Sequence, residues 1–144
     1  MIFIVKLEKL LKYYKMNALK KIIFFLEKNK KISFTILLII LGIMFYCSSI
    51  PGNTISFGSI WPSRIYHFSI FAGFAFFLLA VLTKNKLKTK TILTAILISL
   101  IISILDEIHQ IFVPLRSASI QDVLLDLAGI LLSMGVYALI KNKN

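Results

Sequence analysis

Apolar residues in this chain are gathered into four long runs that are separated by short polar stretches. The runs cover residues 32–50, 65–82, 92–113 and 123–140. At a rise of about 1.5 Å per residue, each run forms a helix of roughly 27–33 Å, which matches the hydrocarbon thickness of a bilayer. Backbone polar groups within lipid must be bonded inside their own segment, so these runs are expected to be helical. The pattern predicts an all-α integral membrane protein built as a bundle of four transmembrane helices.

The segment before the first run alternates apolar and basic positions without reaching membrane length. Residues 1–31 form this basic N-terminal arm, and residues 32–144 form the predicted membrane domain. Apolar positions in the arm recur at helical spacing with lysines between them, which is typical of a short amphipathic helix lying on the membrane surface. A disordered basic leader is the alternative, and initiation at Met1 or at Met16 is left open. The apolar positions are Ile4, Leu7, Leu11 and Tyr14.

The basic residues follow the alternation of the loops. The chain has 17 lysines and arginines against 6 acidic residues. The lysines occur in the arm, in the loop of residues 84–90 and in the C-terminal tail, whereas the other basic residues are Arg64 and Arg116. Because positively charged loops stay on the cytoplasmic side, both termini and this loop are predicted to be cytoplasmic in a multi-pass membrane protein. Since topology and anionic lipid account for the lysines, nucleic-acid binding is not predicted.

Apart from Glu8 and Glu27 in the arm, the tyrosines and Cys47, the remaining ionisable residues gather at the opposite, outer ends of the helices. Residues 106–129 hold four of the six acidic residues, in a region flanked by two apolar runs. Polar groups at membrane depth are costly, so such residues are interpreted as a functional site by default. The principal candidates are Arg64, His67, Asp106, Glu107, Gln110, Arg116 and Asp122, and the additional ones are His109, Ser119 and Asp126.

Spacing on the third and fourth helices predicts which of these candidates share a face. Asp106, His109 and Gln110 are related by three and four residues and therefore lie on one side of a helix. On the fourth helix Asp126 follows Asp122 by one turn, and a glycine one turn further on allows close packing against another helix. The two polar faces are expected to meet at the outer end of the bundle.

A purely structural interpretation of some candidates stays open. Ser119 lies three residues before Asp122, and together they could cap the N-terminus of the fourth helix. Arg116 could pair with Asp122 or Asp126 and clamp the helix ends together. For the two adjacent carboxylates of the third helix, a functional role is favoured, because they lie beside a histidine in apolar surroundings.

Sequence motifs exclude several kinds of site. There is no His-Glu-x-x-His zinc motif, no nucleophile elbow and no glycine-rich phosphate loop. Cys47 is the single cysteine, so neither an internal disulfide nor a cysteine metal cluster can form. A metal held by His67, Asp106 and His109 is an alternative, but no metal and no cofactor are predicted. With both carboxylates and arginines, the outer cluster suits a headgroup that bears both charges, a cation or a proton.

The order of these polar residues resembles the signature of VanZ-like bacterial membrane proteins. One element is Asp-Glu-x-x-Gln-x-Phe-x-Pro-x-Arg over residues 106–116, and the other is a basic-x-x-His-Phe element that begins at Arg64. The family usually has Lys at the position of Arg64, Asp at that of Ser63 and Asn at that of Asp126. The resemblance extends over about residues 32–137. Further matching positions are Ser119, Asp122 and Gly129.

The resemblance implies a role in the bacterial cell envelope, because the family is named for an accessory protein of teicoplanin resistance. The first hypothesis is a non-enzymatic protein that binds a lipid headgroup, a cell-wall precursor or a lipoglycopeptide and alters glycopeptide susceptibility. The second is a membrane-embedded enzyme that uses the carboxylates and histidines for acid–base chemistry on a lipid-linked substrate. The third is a transporter coupled to protons or cations. The lipid bilayer is the expected partner, and a homodimer through glycine-containing helix faces is an open alternative.

Overall fold

The computed structural model describes residues 18–52 and 61–142, and the regular elements in that part of the chain are helices. Helices α2 to α5 are each long and apolar enough to cross a membrane. The predicted all-α protein with four membrane-spanning helices is therefore confirmed. The helices are α1 over residues 18–28, α2 over Lys30–Ser48, α3 over Trp61–Leu82, α4 over Thr89–Ile111 and α5 over Ile120–Asn142.

The helix boundaries differ from the predicted apolar runs by a few residues. Helices α2 and α4 end slightly earlier than predicted, at Ser48 and Ile111. Pro51 and Pro114 follow closely after these ends. Because the helical conformation is disfavoured at the residue before a proline, each helix ends before its proline. Helices α3 and α5 instead begin before their apolar runs, because the helix continues through polar residues that an apolar pattern leaves out.

Helices α3 and α5 form the most extensive contact in the bundle. Gly129 of α5 lies directly against the backbone of α3, where an added Cβ atom would come within 2.2 Å of the Phe68 carbonyl oxygen. Only glycine fits this contact without moving a helix. Ala75 and Leu79 of α3 and Ile130 of α5 are fully buried nearby. The residues on either side of this contact are therefore held close together across the two helices.

The turn after α2 packs on the turn between α4 and α5. The Gly52 amide donates a hydrogen bond of 3.1 Å to the Pro114 carbonyl oxygen. A Cβ atom on Gly52 would lie 1.9 Å from the Leu115 carbonyl oxygen, and Leu115 itself adopts a left-handed φ of 59°. The absence of a side chain at Gly52 therefore allows the two turns to meet and to close one end of the bundle.

The two ends of the bundle differ in charge, and they are named accordingly. The polar end comprises the last turn of α2, the first turns of α3 and α5, and the last turns of α4. The basic end comprises α1, the first turn of α2, the loop of residues 83–88 and the last turn of α5. Fully buried apolar residues lie between the two ends, among them Ala75, Leu79, Ala95 and Ile130.

The described part of the N-terminal arm packs on the bundle. Ile23 and Leu26 of α1 are buried in the same core as the longer helices, whereas Phe24 and Phe25 are exposed. Such a two-sided distribution is typical of a helix that lies along a membrane surface. The arm positions that carried the amphipathic pattern, residues 4–14, lie outside the described residues, so that part of the prediction stays a prediction.

Candidate functional site

A buried chain of hydrogen bonds joins three helices at the polar end. His67 Nδ1 of α3 lies 3.1 Å from Asp126 Oδ1 of α5. The other oxygen of this carboxylate accepts a hydrogen bond of 2.7 Å from the Ser103 hydroxyl of α4. All three residues are buried, and His67, the most accessible of them, is only 2% exposed. The pair lies next to the close α3–α5 contact at Gly129, which holds the two side chains together.

Two neighbouring carboxylates of α4 face different partners. Glu107 is buried and accepts a hydrogen bond of 2.6 Å from the Ser119 backbone amide, just before α5. Asp106 is half-buried and accepts a hydrogen bond from the Ser48 hydroxyl of α2. The Gln110 amide donates to both carboxylates, at 3.0 Å to Asp106 and 3.5 Å to Glu107. These contacts orient both carboxylates and connect α4 to α2 and α5.

The same contacts bring three candidate ligands to one place. One ligand atom from each of His67, Asp106 and Glu107 lies within 4.8 Å of the other two. Gln110 lies between the carboxylates, and Asp126 holds the imidazole from the other side. An imidazole and two carboxylates at this separation can hold a cation or exchange protons with a bound group.

A cavity of about 450 Å³ opens beside this cluster at the polar end. Its volume falls within the range of small-ligand pockets, which is about 300–1,000 Å³. The turn after α2 and the turn before α5 form two of its sides. The polar side chains that line it include Ser48, Tyr66, His67, Gln110, Arg116 and Asp122.

Arg116 reaches across to the end of α2. Its Nε donates to the Ile50 carbonyl oxygen at 3.1 Å, and a terminal nitrogen donates to the Cys47 carbonyl oxygen at 3.2 Å. A cation is favourable beside the free carbonyls at a helix C-terminus. Within the described residues Arg116 forms no ion pair with Asp122 or Asp126, so it does not act as the clamp that the sequence left open. A guanidinium has five N–H donors, and these two bonds leave the others for a ligand.

Arg64 lies outside this cavity. Its guanidinium donates a hydrogen bond of 3.1 Å to Gln121 Oε1 and lies 5.8 Å from the centre of the Trp61 ring. It lines a separate open groove between α3 and α5. The structure therefore does not bring this candidate to the cluster.

His109 points away from His67. Its Nε2 lies 3.0 Å from the Ser49 hydroxyl oxygen, and its ring stacks on Phe45 with the centroids 4.7 Å apart. Its partners are therefore residues of α2 and the turn that follows. Among the described residues, the metal-ligand set that included this histidine does not form, because Glu107 faces the cluster in its place.

The start of α5 is capped in the way that the structural interpretation required. The Asp122 amide lies 3.3 Å from the Ser119 hydroxyl oxygen, which accepts its hydrogen bond. Asp122 itself lies in the first turn of α5, where a negative charge is favourable. It also lines the cavity, so a capping role and a binding role are compatible at this position.

Two serines of the cluster were not among the sequence candidates. Ser48 and Ser103 lie inside apolar runs, where a single hydroxyl is a weak signal. A stronger signal was present on α4, because Ala95, Ser99, Ser103 and Glu107 recur at every fourth position and all are buried. Small and polar residues along one face mark the packed side of a membrane helix.

A second buried polar cluster lies at the basic end, where the sequence placed Glu27 and the lysines but predicted no buried cluster. Glu27 of α1 is buried, accepts a hydrogen bond of 2.7 Å from the Tyr137 hydroxyl and pairs with Lys141. Lys30 donates to three carbonyl oxygens around the end of α3, among them that of Ala80 at 2.7 Å. In contrast to the carboxylates of the polar end, the Glu27 carboxylate has a lysine as its partner.

Comparison with known families gives a match over nearly the whole chain. A family model described as VanZ/LLP1 matches residues 3–141. The matched range takes in most of the N-terminal arm, which lay outside the motif resemblance over about residues 32–137. No curated protein and no solved structure matches the chain.

Proposed function

The chain belongs to the VanZ/LLP1 family, and from this premise we propose that it is a multi-pass protein of the bacterial plasma membrane that binds a headgroup at its polar end. The ligand is the headgroup of an envelope lipid, a cell-wall precursor or a lipoglycopeptide, and binding modulates susceptibility to teicoplanin-type antibiotics. The observation that carries this proposal is the cavity of about 450 Å³ at one end of a membrane bundle, lined by side chains of both charges.

The polar end faces outward in this proposal. The basic end carries most of the described lysines, and positively charged loops stay on the cytoplasmic side of a membrane. A cavity at the opposite end would then open toward the outer leaflet, where lipid-linked wall precursors and lipoglycopeptides meet. The lysines of the basic end are Lys20, Lys21, Lys28, Lys30, Lys31, Lys84, Lys86, Lys88 and Lys141.

The charges around the cavity suit a headgroup with an anionic part. Arg116 retains guanidinium N–H groups beyond the two that bond α2, and such groups bind phosphate or carboxylate oxygens in pairs. Asp122 lies in the same wall and can attract an ammonium or accept hydrogen bonds from hydroxyl groups. A ligand that carries both kinds of group would satisfy both residues.

The test compares two arginine variants in cells that express the chain and are exposed to teicoplanin. Arg116→Gln removes the charge that faces the cavity, and Arg64→Gln makes the same change in the separate groove. We expect Arg116→Gln to lose any protection conferred by the wild type and Arg64→Gln to keep it, with equal amounts of protein in the membrane. Asp122→Asn provides a second cavity variant if Arg116→Gln fails to accumulate. Wild-type protection in both cavity variants would contradict the proposal.

A membrane-embedded enzyme is the second candidate, and one observation favours it. Asp126 orients the His67 imidazole through Nδ1, and Glu107 lies on the other side of the cluster, as acid–base chemistry requires. The assay incubates the purified full chain in liposomes made of bacterial envelope lipids and searches for new lipid products by mass spectrometry. A product that is absent with His67→Gln would support the enzyme, and no product with any envelope lipid would count against it.

Coupled transport has less support. Within the part of the chain that the structure describes, no continuous series of hydrogen-bonded polar side chains joins the two polar clusters, and the buried Ser99 hydroxyl between them has no hydrogen-bond partner. The apolar residues Ala75, Leu79, Ala95 and Ile130 are buried in the same region. A flux driven by a pH gradient and lost in Glu107→Gln would reverse this preference.

A further inference from the structure

Three carboxylates at the polar end lack sufficient positive charge around them. Among the described residues, the one ion pair formed by Asp106, Glu107 or Asp126 is that between His67 and Asp126. Arg116 donates to backbone carbonyls instead. If all three carboxyl groups are ionised, a protonated His67 still leaves two negative charges uncompensated. Because buried charges are normally paired or coordinate a metal, this deficit indicates that a cation or additional protons complete the cluster.

His67 has one ring nitrogen left for a ligand. Its Nδ1 lies 3.1 Å from the Asp126 carboxylate, so in the neutral imidazole the tautomer that bonds Asp126 carries its hydrogen on Nδ1 and keeps the lone pair on Nε2. The side chain is 3% exposed, and no described residue bonds Nε2. A histidine held by a carboxylate through one nitrogen is the arrangement that orients metal-binding imidazoles in proteins.

We propose that His67, Asp106 and Glu107 bind a divalent transition-metal ion, for which Zn²⁺ and Mn²⁺ are the best matches to a mixed imidazole–carboxylate set. Their ligand atoms already lie within 4.8 Å of one another. Modest side-chain rotations would bring them to about 2.0–2.2 Å from a common centre. A metal-bound His67 is neutral, so the three ionised carboxylates leave three negative charges, of which a doubly charged ion offsets two.

The surrounding hydrogen bonds hold the two carboxylate ligands in place. Asp106 accepts from Ser48 and Gln110, and Glu107 accepts from the Ser119 amide. Each carboxylate oxygen has two lone pairs, so these bonds leave acceptor capacity for a metal. Outer contacts of this kind typically change metal affinity by about 10–100-fold when they are removed.

The metal would lie at the inner wall of the cavity, because His67 and Gln110 belong to both the cluster and that wall. Three protein ligands leave at least one coordination position for an oxygen of phosphate or carboxylate. This last step rests on the proposed function and deepens it, since it names anionic headgroups as the ligand class. Metal binding itself does not depend on that function. From the sequence no metal was predicted, and the alternative ligand set was His67, Asp106 and His109. In the structure Glu107 takes the place of His109 in that set, and for this reason we now propose a metal.

The test measures metal binding by the purified full chain in nanodiscs, without drug or headgroup. The protein is first treated with a chelator and then dialysed against Zn²⁺ or Mn²⁺. The metal bound per chain is measured by inductively coupled plasma mass spectrometry. We expect one equivalent per chain for the wild type and at least about tenfold weaker affinity for Glu107→Gln and His67→Gln. His109→Gln is the matched control, since it makes the same change at the histidine that faces α2, and it should bind as the wild type does.

Two results would overturn the metal site: no stoichiometric binding by the wild type, or equal binding by His67→Gln and His109→Gln. If His67→Gln does not fold, Asp106→Asn gives the same comparison. The visible absorption of Co²⁺ bound to the wild type reports ligation directly, and absence of such a spectrum also counts against the site. Drug protection that depends on Arg116 in a protein that binds no metal would overturn the metal site while leaving the headgroup proposal intact.

Discussion

Replacing Gly129 by alanine tests whether the close α3–α5 contact builds the site. The new Cβ atom would lie 2.2 Å from the Phe68 carbonyl oxygen and 3.3 Å from the Ala72 amide nitrogen. Ordinary contact distances begin near 3.4 Å, so the two helices must separate by about 1 Å to remove the overlap. Overpacking of this kind costs about 1–3 kcal/mol. The same movement would lengthen the contact of 3.1 Å between His67 and Asp126.

Gly135→Ala, in the same helix, is the matched control. A Cβ atom there would meet no atom of a neighbouring helix within 4 Å, and alanine is favoured over glycine in a helix interior by about 0.5–1 kcal/mol. Because both variants gain this helix preference, we expect their free energies of unfolding in detergent to differ by the overpacking cost alone, roughly 1–3 kcal/mol, with Gly129→Ala the less stable. Equal stability of the two variants would refute the close contact. A destabilised Gly129→Ala protein that keeps full metal binding and drug protection would refute its role in placing His67 against Asp126.

Two further substitutions test other buried contacts with the same unfolding assay. Ser103→Ala removes the donor to Asp126 and should destabilise the protein by about 1–3 kcal/mol. Ser99→Ala is the control, because it removes a buried hydroxyl that has no hydrogen-bond partner in the described residues, and it should cost less. Equal losses of stability would contradict the hydrogen bond between Ser103 and Asp126. Glu27→Gln breaks the pair with Lys141, whose side chain is 19% exposed, and should therefore cost less than the about 3–5 kcal/mol expected when a fully buried pair is broken. Adding Lys141→Gln should recover part of that loss, and strictly additive losses would argue against the pair.

The four membrane helices were predictable because the bilayer itself fixes the length and polarity of a spanning segment. Which helices pack most closely was less accessible, since the decisive contact is between Gly129 and the backbone at Phe68. A glycine on a helix face indicates that some neighbour approaches closely, but not which one. The buried Glu27 was missed for a similar reason, because α1 lies outside the apolar runs and its packing on the bundle has no sequence motif.

Part of the site was predictable from spacing along α4. Asp106, Glu107 and Gln110 are neighbours on one helix, and the structure places them in mutual contact. Spacing cannot tell which neighbouring helix each face meets, so it grouped His109 with them although its partners lie on the α2 side. Arg64 shares a motif with His67, yet one turn of α3 separates a side chain in the outer groove from one in the cluster.

The polar end is assembled from all four long helices, so a ligand bound there would also stabilise the folded bundle. Asp106 is tied to α2, Glu107 to the residue before α5, and His67 of α3 to Asp126 of α5. A ligand held by Asp106, Glu107 and His67 would therefore bridge α4 and α3, at an end of the bundle where the helices are otherwise joined by a few hydrogen bonds. A ligand that binds the folded bundle but not the unfolded chain stabilises the folded state by about 2.7 kcal/mol when its concentration is one hundred times the Kd. Ligand binding and folding of the bundle are therefore coupled. A cation would shift the folding equilibrium toward the folded state through its contacts with the uncompensated carboxylates.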